Sequence, residues 1–227
     1  MELNVLYEDN HVLVVLKPQN IPTQEDSSKD VDMLTLAKNY VKEKYNKPGN
    51  VYIGLVHRLD RPTGGVMVFA KTSKCASRLT EQIKNGEMTK KYLAVTNGIP
   101  KSLSGKLTNY LLKNERENMV QVVPQLTTGA KYAELEYNVI ANENGMALCD
   151  IDLHTGRSHQ IRVQFKHIGC ALYGDAKYGV ASKNKKLALW AYMLKFKHPT
   201  TNKTLVFKVY PPVEELPWNN FKVENLI

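Results

Sequence analysis

Apolar and polar residues alternate along much of this chain with the period of a strand, and helical spacing interrupts that pattern in a few places. Residues 3–7 and 12–17 read as a hairpin around Glu8-Asp9-Asn10, with Lys17-Pro18 stopping the second strand. Residues 23–30 are polar and read as a loop, after which Leu36, Ala37, Tyr40 and Val41 recur at helical spacing up to a stop near residues 46–49. Residues 51–56 and 66–70 are strand-like and flank a Pro/Gly turn. Ser73 is placed to cap a helix with the stripe Ala76, Leu79 and Ile83, ending at Asn85-Gly86. Residues 91–96 form a short strand pattern, whereas 102–125 are weakly patterned and polar, with loops and room for one hairpin. Residues 132–140 and 146–153 read as paired strands around Asn142-Glu143-Asn144-Gly145. Ser158 then opens a helix whose apolar stripe is Ile161, Phe165 and Ile168, closed by Gly169, and residues 187–197 and 204–210 make a last hairpin pattern. Strand runs with interspersed helices predict an α+β fold rather than a βαβ repeat. No fixed-period repeat appears and no Gly, Ser or Pro linker divides the chain, so residues 1–227 are expected to form one catalytic domain.

Composition narrows the class. At 227 residues with 43% hydrophobic residues the chain can bury a substantial core. No apolar run approaches the roughly 18 residues of a membrane span, and the acidic start MELNVLYED is unlike a secretory signal. A cytoplasmic protein with no membrane partner is expected. Cys75, Cys149 and Cys170 are too far apart for a zinc ribbon or a disulfide framework, so buried thiols are expected. The net charge of +9 is uneven. Residues 160–208 carry Arg162, Lys166, Lys177, Lys183, Lys185, Lys186, Lys195, Lys197, Lys203 and Lys208 against one acid, Asp175. A polyanion such as RNA is the natural partner for such a stretch.

The segment HRLDRPTGGVMVFAKT, residues 57–72, carries the candidate chemistry. Alone, Asp60 reads as a turn or capping aspartate beside Pro62 and Gly64-Gly65. His57, Arg58 and Arg61 around it form an electropositive collar, which would keep the carboxylate ionised and able to act as a covalent nucleophile. GRSHQIR, residues 156–162, supplies Arg162 at a helix start, where a buried arginine needs a carboxylate, and Asp60 is the candidate. Lys166 on the same face reads as solvated. Tyr92 in KKYLAV reads first as strand packing, and second as an aromatic able to stack on an unpaired base. Asp175 in GDAKYG is by itself a turn residue that could orient an Arg or Lys side chain. His154, His159 and His167 lack the spacing of a zinc site.

HRLDRPTGGVMVFAKT, KKYLAV, LHTGRSHQIRVQF, GDAKYG and LALWAYMLKFKHP occur in the order and spacing of the RluA family of pseudouridine synthases, and NVLYEDNHVLVVLKPQNIPTQ resembles the start of its catalytic domain. The resemblance covers nearly the whole chain and leaves out the small accessory RNA-binding domain that often precedes this domain. It implies a mixed, mostly antiparallel sheet in two halves with flanking helices and a central catalytic cleft. It also implies a monomer that isomerises uridine in ribosomal or transfer RNA, with no metal, no organic cofactor and no DNA partner. Asp60 would be the nucleophile, attacking either the ribose or the uracil ring. Tyr92 would stack on the flipped base and assist proton transfer, and Arg162 would pair with Asp60. Arg58 would help hold the RNA, Ile161 would line the uracil pocket, and His57 and His159 would contact substrate. Three positions depart from the family pattern: Asn20 stands where Gly is frequent, Gly64 where Ser is frequent, and Trp190 where His is frequent. Two other classes compete, an RNA-binding protein on the same scaffold and a glycoside hydrolase. The latter needs a second facing carboxylate, which the residues near Asp60 do not offer.

Overall fold

The computed structural model describes residues 2–179 and 185–227. Lys183 of the basic stretch lies outside the described residues. In chain order the elements are β1 (Asn4–Glu8), β2 (Val12–Lys17), α1 (Met33–Lys44), β3 (Gly54–Leu55), β4 (Gly64–Ala70), α2 (Ser73–Lys84), β5 (Thr89–Asn97) and β6 (Ser104–Asn114). They continue with β7 (Met119–Val123), β8 (Lys131–Glu143), β9 (Met146–Leu153), α3 (Gln160–His167), β10 (Leu189–Lys197) and β11 (Thr204–Lys208). Backbone contacts divide the chain into two compact units, one within Met1–Thr89 and Ala191–Val209, the other within Lys90–Trp190 and Tyr210–Ile227. The fold is α+β, as the order of strand and helix patterns predicts, and the strand pairs are mostly antiparallel, as the resemblance implies. No helix among the described residues is long and apolar enough to cross a membrane.

In the first unit β1 pairs with β2, β2 with β4, and β10 with β11, all antiparallel, and β4 neighbours β10. Every residue of β4 is buried, so this strand reads as a continuous apolar run. Gly65 permits its close approach to β10: a Cβ there would stand 2.2 Å from the Ala191 carbonyl oxygen, at a φ of +127°. Val12, Val14, Val66, Val68, Leu79 and Phe196 centre the core. Asp32 caps α1 by accepting the Thr35 N–H. The cap of α2 is Thr72, which accepts the Cys75 N–H at 3.2 Å, one residue before the expected Ser73. Gln82 on α2 uses its amide as a strand would, accepting from Lys197 N–H and donating to the Lys197 carbonyl.

In the second unit the strand order is β5-β9-β8-β6-β7, with antiparallel ladders. Residues 102–125, which showed little pattern, contain the β6–β7 hairpin. Helix α3 lies on β6 and β7 and shares with them the core of Leu111, Val120, Ala133, Val163 and Tyr178. Gln164 secures it by donating to the Leu107 carbonyl and the Asn109 side chain. Cys75, Cys149 and Cys170 are free and buried, and burial pushes the Cys149 thiol up to about 12.

Candidate active site

The turn that carries Asp60 is fixed by a buried lysine. Lys17 ends β2 with its side chain fully enclosed, and its ammonium donates to three carbonyls: Thr63 at 2.7 Å, Arg61 at 3.0 Å and Pro18 at 3.1 Å. An ammonium has three N–H donors, and each has a carbonyl acceptor here. The preceding loop adds further ties. Asn20 N–H donates to the Arg61 carbonyl at 2.8 Å, Gln19 donates to the Pro62 carbonyl, and Thr23 Oγ1 donates to the Leu59 carbonyl at 2.7 Å. Asn20 holds a φ of +66°, in the left-handed region that glycine and asparagine tolerate best, which explains how it replaces a frequent glycine. The Thr63 N–H closes the turn on the Asp60 carbonyl at 2.9 Å. Asp60 itself is half-buried and Leu59 beside it is buried.

The cationic collar differs from the expected one. Arg61 turns to the polar loop, where it pairs with Asp30, Asp26 and Ser28, so its charge is balanced there. Lys17 is a cation whose charge couples to that of Asp60. Burial pushes its ammonium down to about 7, with the Asp60 charge opposing that fall. Arg58 is exposed. His57 accepts the Val68 N–H on Nε2 at 3.1 Å, which anchors the turn to β4. Lys17 was missed as a site residue, although it continues the buried face of Leu13 and Val15 on β2.

Lys17→Met should cost about 2 kcal/mol of stability, because buried carbonyls lose their donor while relief of one desolvated charge offsets part of the loss. Urea unfolding reads this, and a change below about 0.5 kcal/mol would contradict it. The folded value of about 7 lies below the ordinary 10.5, so the unfolded chain binds more protons between these limits. Wild type should therefore gain stability from this group as pH rises through that window, and the variant should lack the gain.

The second unit holds Tyr92, Ile161 and Arg162, all buried. Tyr92 lies in β5 opposite Ile151 of β9. Arg162 on α3 is gripped side-on by Asp175, with Nε to Oδ2 at 2.8 Å and Nη2 to Oδ1 at 2.7 Å. The Asp175 carboxylate also accepts the N–H groups of Lys177 and Tyr178. Burial alone would raise its pKa, but Arg162 and these amides hold it below the usual carboxylate range. Gly174 makes the bend possible: at φ +70°, a Cβ would meet the Lys186 carbonyl oxygen at 2.1 Å. The Arg162 guanidinium stands 5.1 Å from the centre of the Tyr178 ring. The sequence pointed to Asp175 only as the lone acid of a basic stretch, and orienting an arginine is what it does.

His159, not Ser158, precedes α3, with a left-handed φ of 53° and no side-chain cap. Gln160 fixes this loop by accepting from Thr155 Oγ1 and the Arg157 N–H and by donating to the Glu134 carbonyl. The Tyr178 hydroxyl accepts the Val120 N–H at 2.9 Å and lies 2.7 Å from His159 Nδ1. The hydroxyl either donates its proton to Nδ1 or accepts from Nδ1–H, so the contact ties His159 to Tyr178 in either tautomer. Tyr178→Phe removes this bond and should shift the His159 imidazole nitrogen-15 resonances. Unchanged shifts would count against the hydrogen bond.

Three lysines of the basic stretch have local partners. Lys186 pairs with Glu215, Lys197 with Glu87, and Lys177 donates to the Asn118 carbonyl. These acids lie outside the window in sequence, and the lysines are shared between the two units.

Comparison with known proteins accounts for the motif order. A family model described as RNA pseudouridylate synthase matches residues 11–167. An uncharacterized RNA pseudouridine synthase of Helicobacter pylori is 32% identical over 217 residues, covering 92% of this chain and 66% of that protein. The ribosomal large subunit pseudouridine synthase C of Buchnera aphidicola is 31% identical over 214 residues, covering 89% and 65%. The chain thus spans about two thirds of the length of these curated relatives. Among solved structures, human RNA pseudouridylate synthase domain containing 4 shares the fold, with a TM-score of 0.77, 22% identity and coverage of 92% of this chain and 88% of that one. With the motifs at residues 57–72, 90–95 and 153–165 inside the matched span and its fold shared, the chain belongs to the RNA pseudouridylate synthase family.

Proposed function

We propose that the chain isomerises uridine to pseudouridine in structured RNA, ribosomal or transfer, with Asp60 as the nucleophile. The observation that carries this reading is a half-buried carboxylate on a turn fixed by a buried ammonium, in a chain of this family. A rigid turn holds a nucleophile at one angle of attack while leaving it reachable. A transient covalent bond between Asp60 and the substrate lets the bond from ribose to the ring nitrogen break, and the Asp60 bond breaks in turn as the rotated base is joined to ribose through carbon 5. Carbon 5 loses its proton and the freed ring nitrogen gains one, so atoms and electrons balance without an external oxidant or reductant.

The remaining roles follow the resemblance. Arg162 pairs with Asp60 across one catalytic domain formed by residues 1–227. Asp175 occupies the Nε–Nη2 edge of Arg162, so a second carboxylate would meet the Nη1 end. Tyr92 stacks on the extruded base and Ile161 lines its pocket, while Arg58, His57 and His159 contact the RNA. Extrusion costs a few kcal/mol of stacking, which cationic and aromatic contacts offset. The protein acts as a cytoplasmic monomer, without a metal, an organic cofactor, or a membrane or DNA partner. Ribosomal RNA is the first target to test, given the name of the Buchnera relative. Pseudouridine mapping in cells lacking the protein should show loss of one or a few sites, restored by wild type and not by Asp60→Asn. A complete map without the protein would overturn the proposal.

A further inference from the structure

Lys90, the second residue of β5, lies two residues before Tyr92, so both side chains leave the same face of the strand, about 7 Å apart along it. It is half-buried, and its ammonium makes no hydrogen bond or ion pair among the described residues. Its neighbour Lys91, on the other face, pairs with Asp150 at 3.1 Å. Burial lowers the pKa of Lys90, and the more distant charge of Asp152 offsets only part of that fall. The ammonium reaches the start of the GRSHQIR turn: a Cβ on Gly156 would stand 3.6 Å from Nζ, with no other heavy atom beyond its chain neighbours within 4 Å. The glycine therefore leaves a notch in front of the charge. The next residue of that turn, Arg157, is exposed, its Nε donating to the Tyr132 carbonyl. A desolvated cation that no anion contacts directly is a standing cost, which an incoming anion lowers.

We propose that Lys90 binds a backbone phosphate of the RNA, beside the nucleotide that stacks on Tyr92. This rests on RNA being the substrate, and it adds a residue to which neither the sequence motifs nor the resemblance gave a role. A phosphate is the anion every RNA offers, and a lysine meets it as a point charge without sequence preference.

The test is binding of a fluorescein-labelled 12-nucleotide oligouridylate as a function of potassium chloride, with Asp60→Asn in every protein to prevent turnover. Lys90→Gln should weaken binding about 3- to 10-fold near 0.1 M salt and flatten the log–log salt slope by about 0.7, the value for one phosphate contact on a single strand. Lys90→Arg should restore the slope, and Lys91→Gln should leave it unchanged. The melting temperature of free Lys90→Gln should hold or rise, because an unpaired charge is removed. An unchanged slope in Lys90→Gln, an equal loss in Lys91→Gln, or a lower melting temperature would each overturn the assignment. Because no arm reads catalysis, a missing pseudouridine synthase activity would be seen separately from a missing phosphate contact.

Discussion

Asp60→Asn should lower the single-turnover rate of uridine isomerisation by at least about 10⁴-fold while leaving the protein folded. The amide matches the carboxylate in shape, so the turn keeps its Lys17, Asn20 and Thr23 ties, which all run to backbone carbonyls. What is lost is the charge. An amide oxygen is too weak a nucleophile to form the covalent bond, and no second acid on the turn replaces it. The loss has a second consequence. The Asp60 charge opposes the fall of the Lys17 pKa, so without it burial should push Lys17 below its value of about 7. A residual rate within about 100-fold of wild type would show that Asp60 is not the nucleophile.

Asp175→Ala should destabilise the second unit by about 3 kcal/mol, because it removes the carboxylate that grips the buried Arg162 side-on. Both groups are almost wholly enclosed, with side-chain exposures of 5% and 0%. The Lys177 and Tyr178 amides would lose their acceptor as well. Activity should fall with stability, since the guanidinium would no longer be held side-on, and Asp175→Glu should recover part of both. The sign with pH follows from the depressed carboxyl. Its stabilising contribution is present above the ordinary value of 3.8 and is lost as pH falls through the lower folded value. Wild type should therefore lose this advantage over Asp175→Ala in acid. Urea unfolding at pH 7 and pH 3 reads both effects, and a difference below about 1 kcal/mol at pH 7 would contradict the buried pair.

Much of the fold was legible because turn chemistry and periodicity agreed. The β1–β2 hairpin, α1, α2 and the β8–β9 pair follow from apolar spacing bounded by Asp, Asn, Gly and Pro. The β6–β7 hairpin was less legible, because β6 has one fully buried residue, Leu111, and its alternation carries little apolar contrast. Residues 51–56 show the reverse: their apolar side chains predict a full strand, yet only Gly54–Leu55 pairs. Thr72 and Ser73 are adjacent hydroxyls, and sequence alone does not choose the cap.

In the site, Asp60 stood out by its turn and Arg162 by its helix start. Their supports did not. Lys17 before a proline looks like a solvent-facing strand end, and it became a buried ammonium because three carbonyls turn towards it. Arg61 looked like part of the collar until the loop folded Asp26 and Asp30 against it. The basic stretch looked uniform because its counter-acids, Glu87 and Glu215, come from distant parts of the chain. Long-range pairing of charges is what a linear count cannot show.

The most direct measurement of the central claim is a product balance on RNA carrying tritium at uridine carbon 5. Wild-type protein should release one tritium to water for each pseudouridine formed, with no free uracil, and Asp60→Ala should release none above background. Free uracil would make the protein a hydrolase, and equal tritium release by the variant would remove Asp60 from the chemistry.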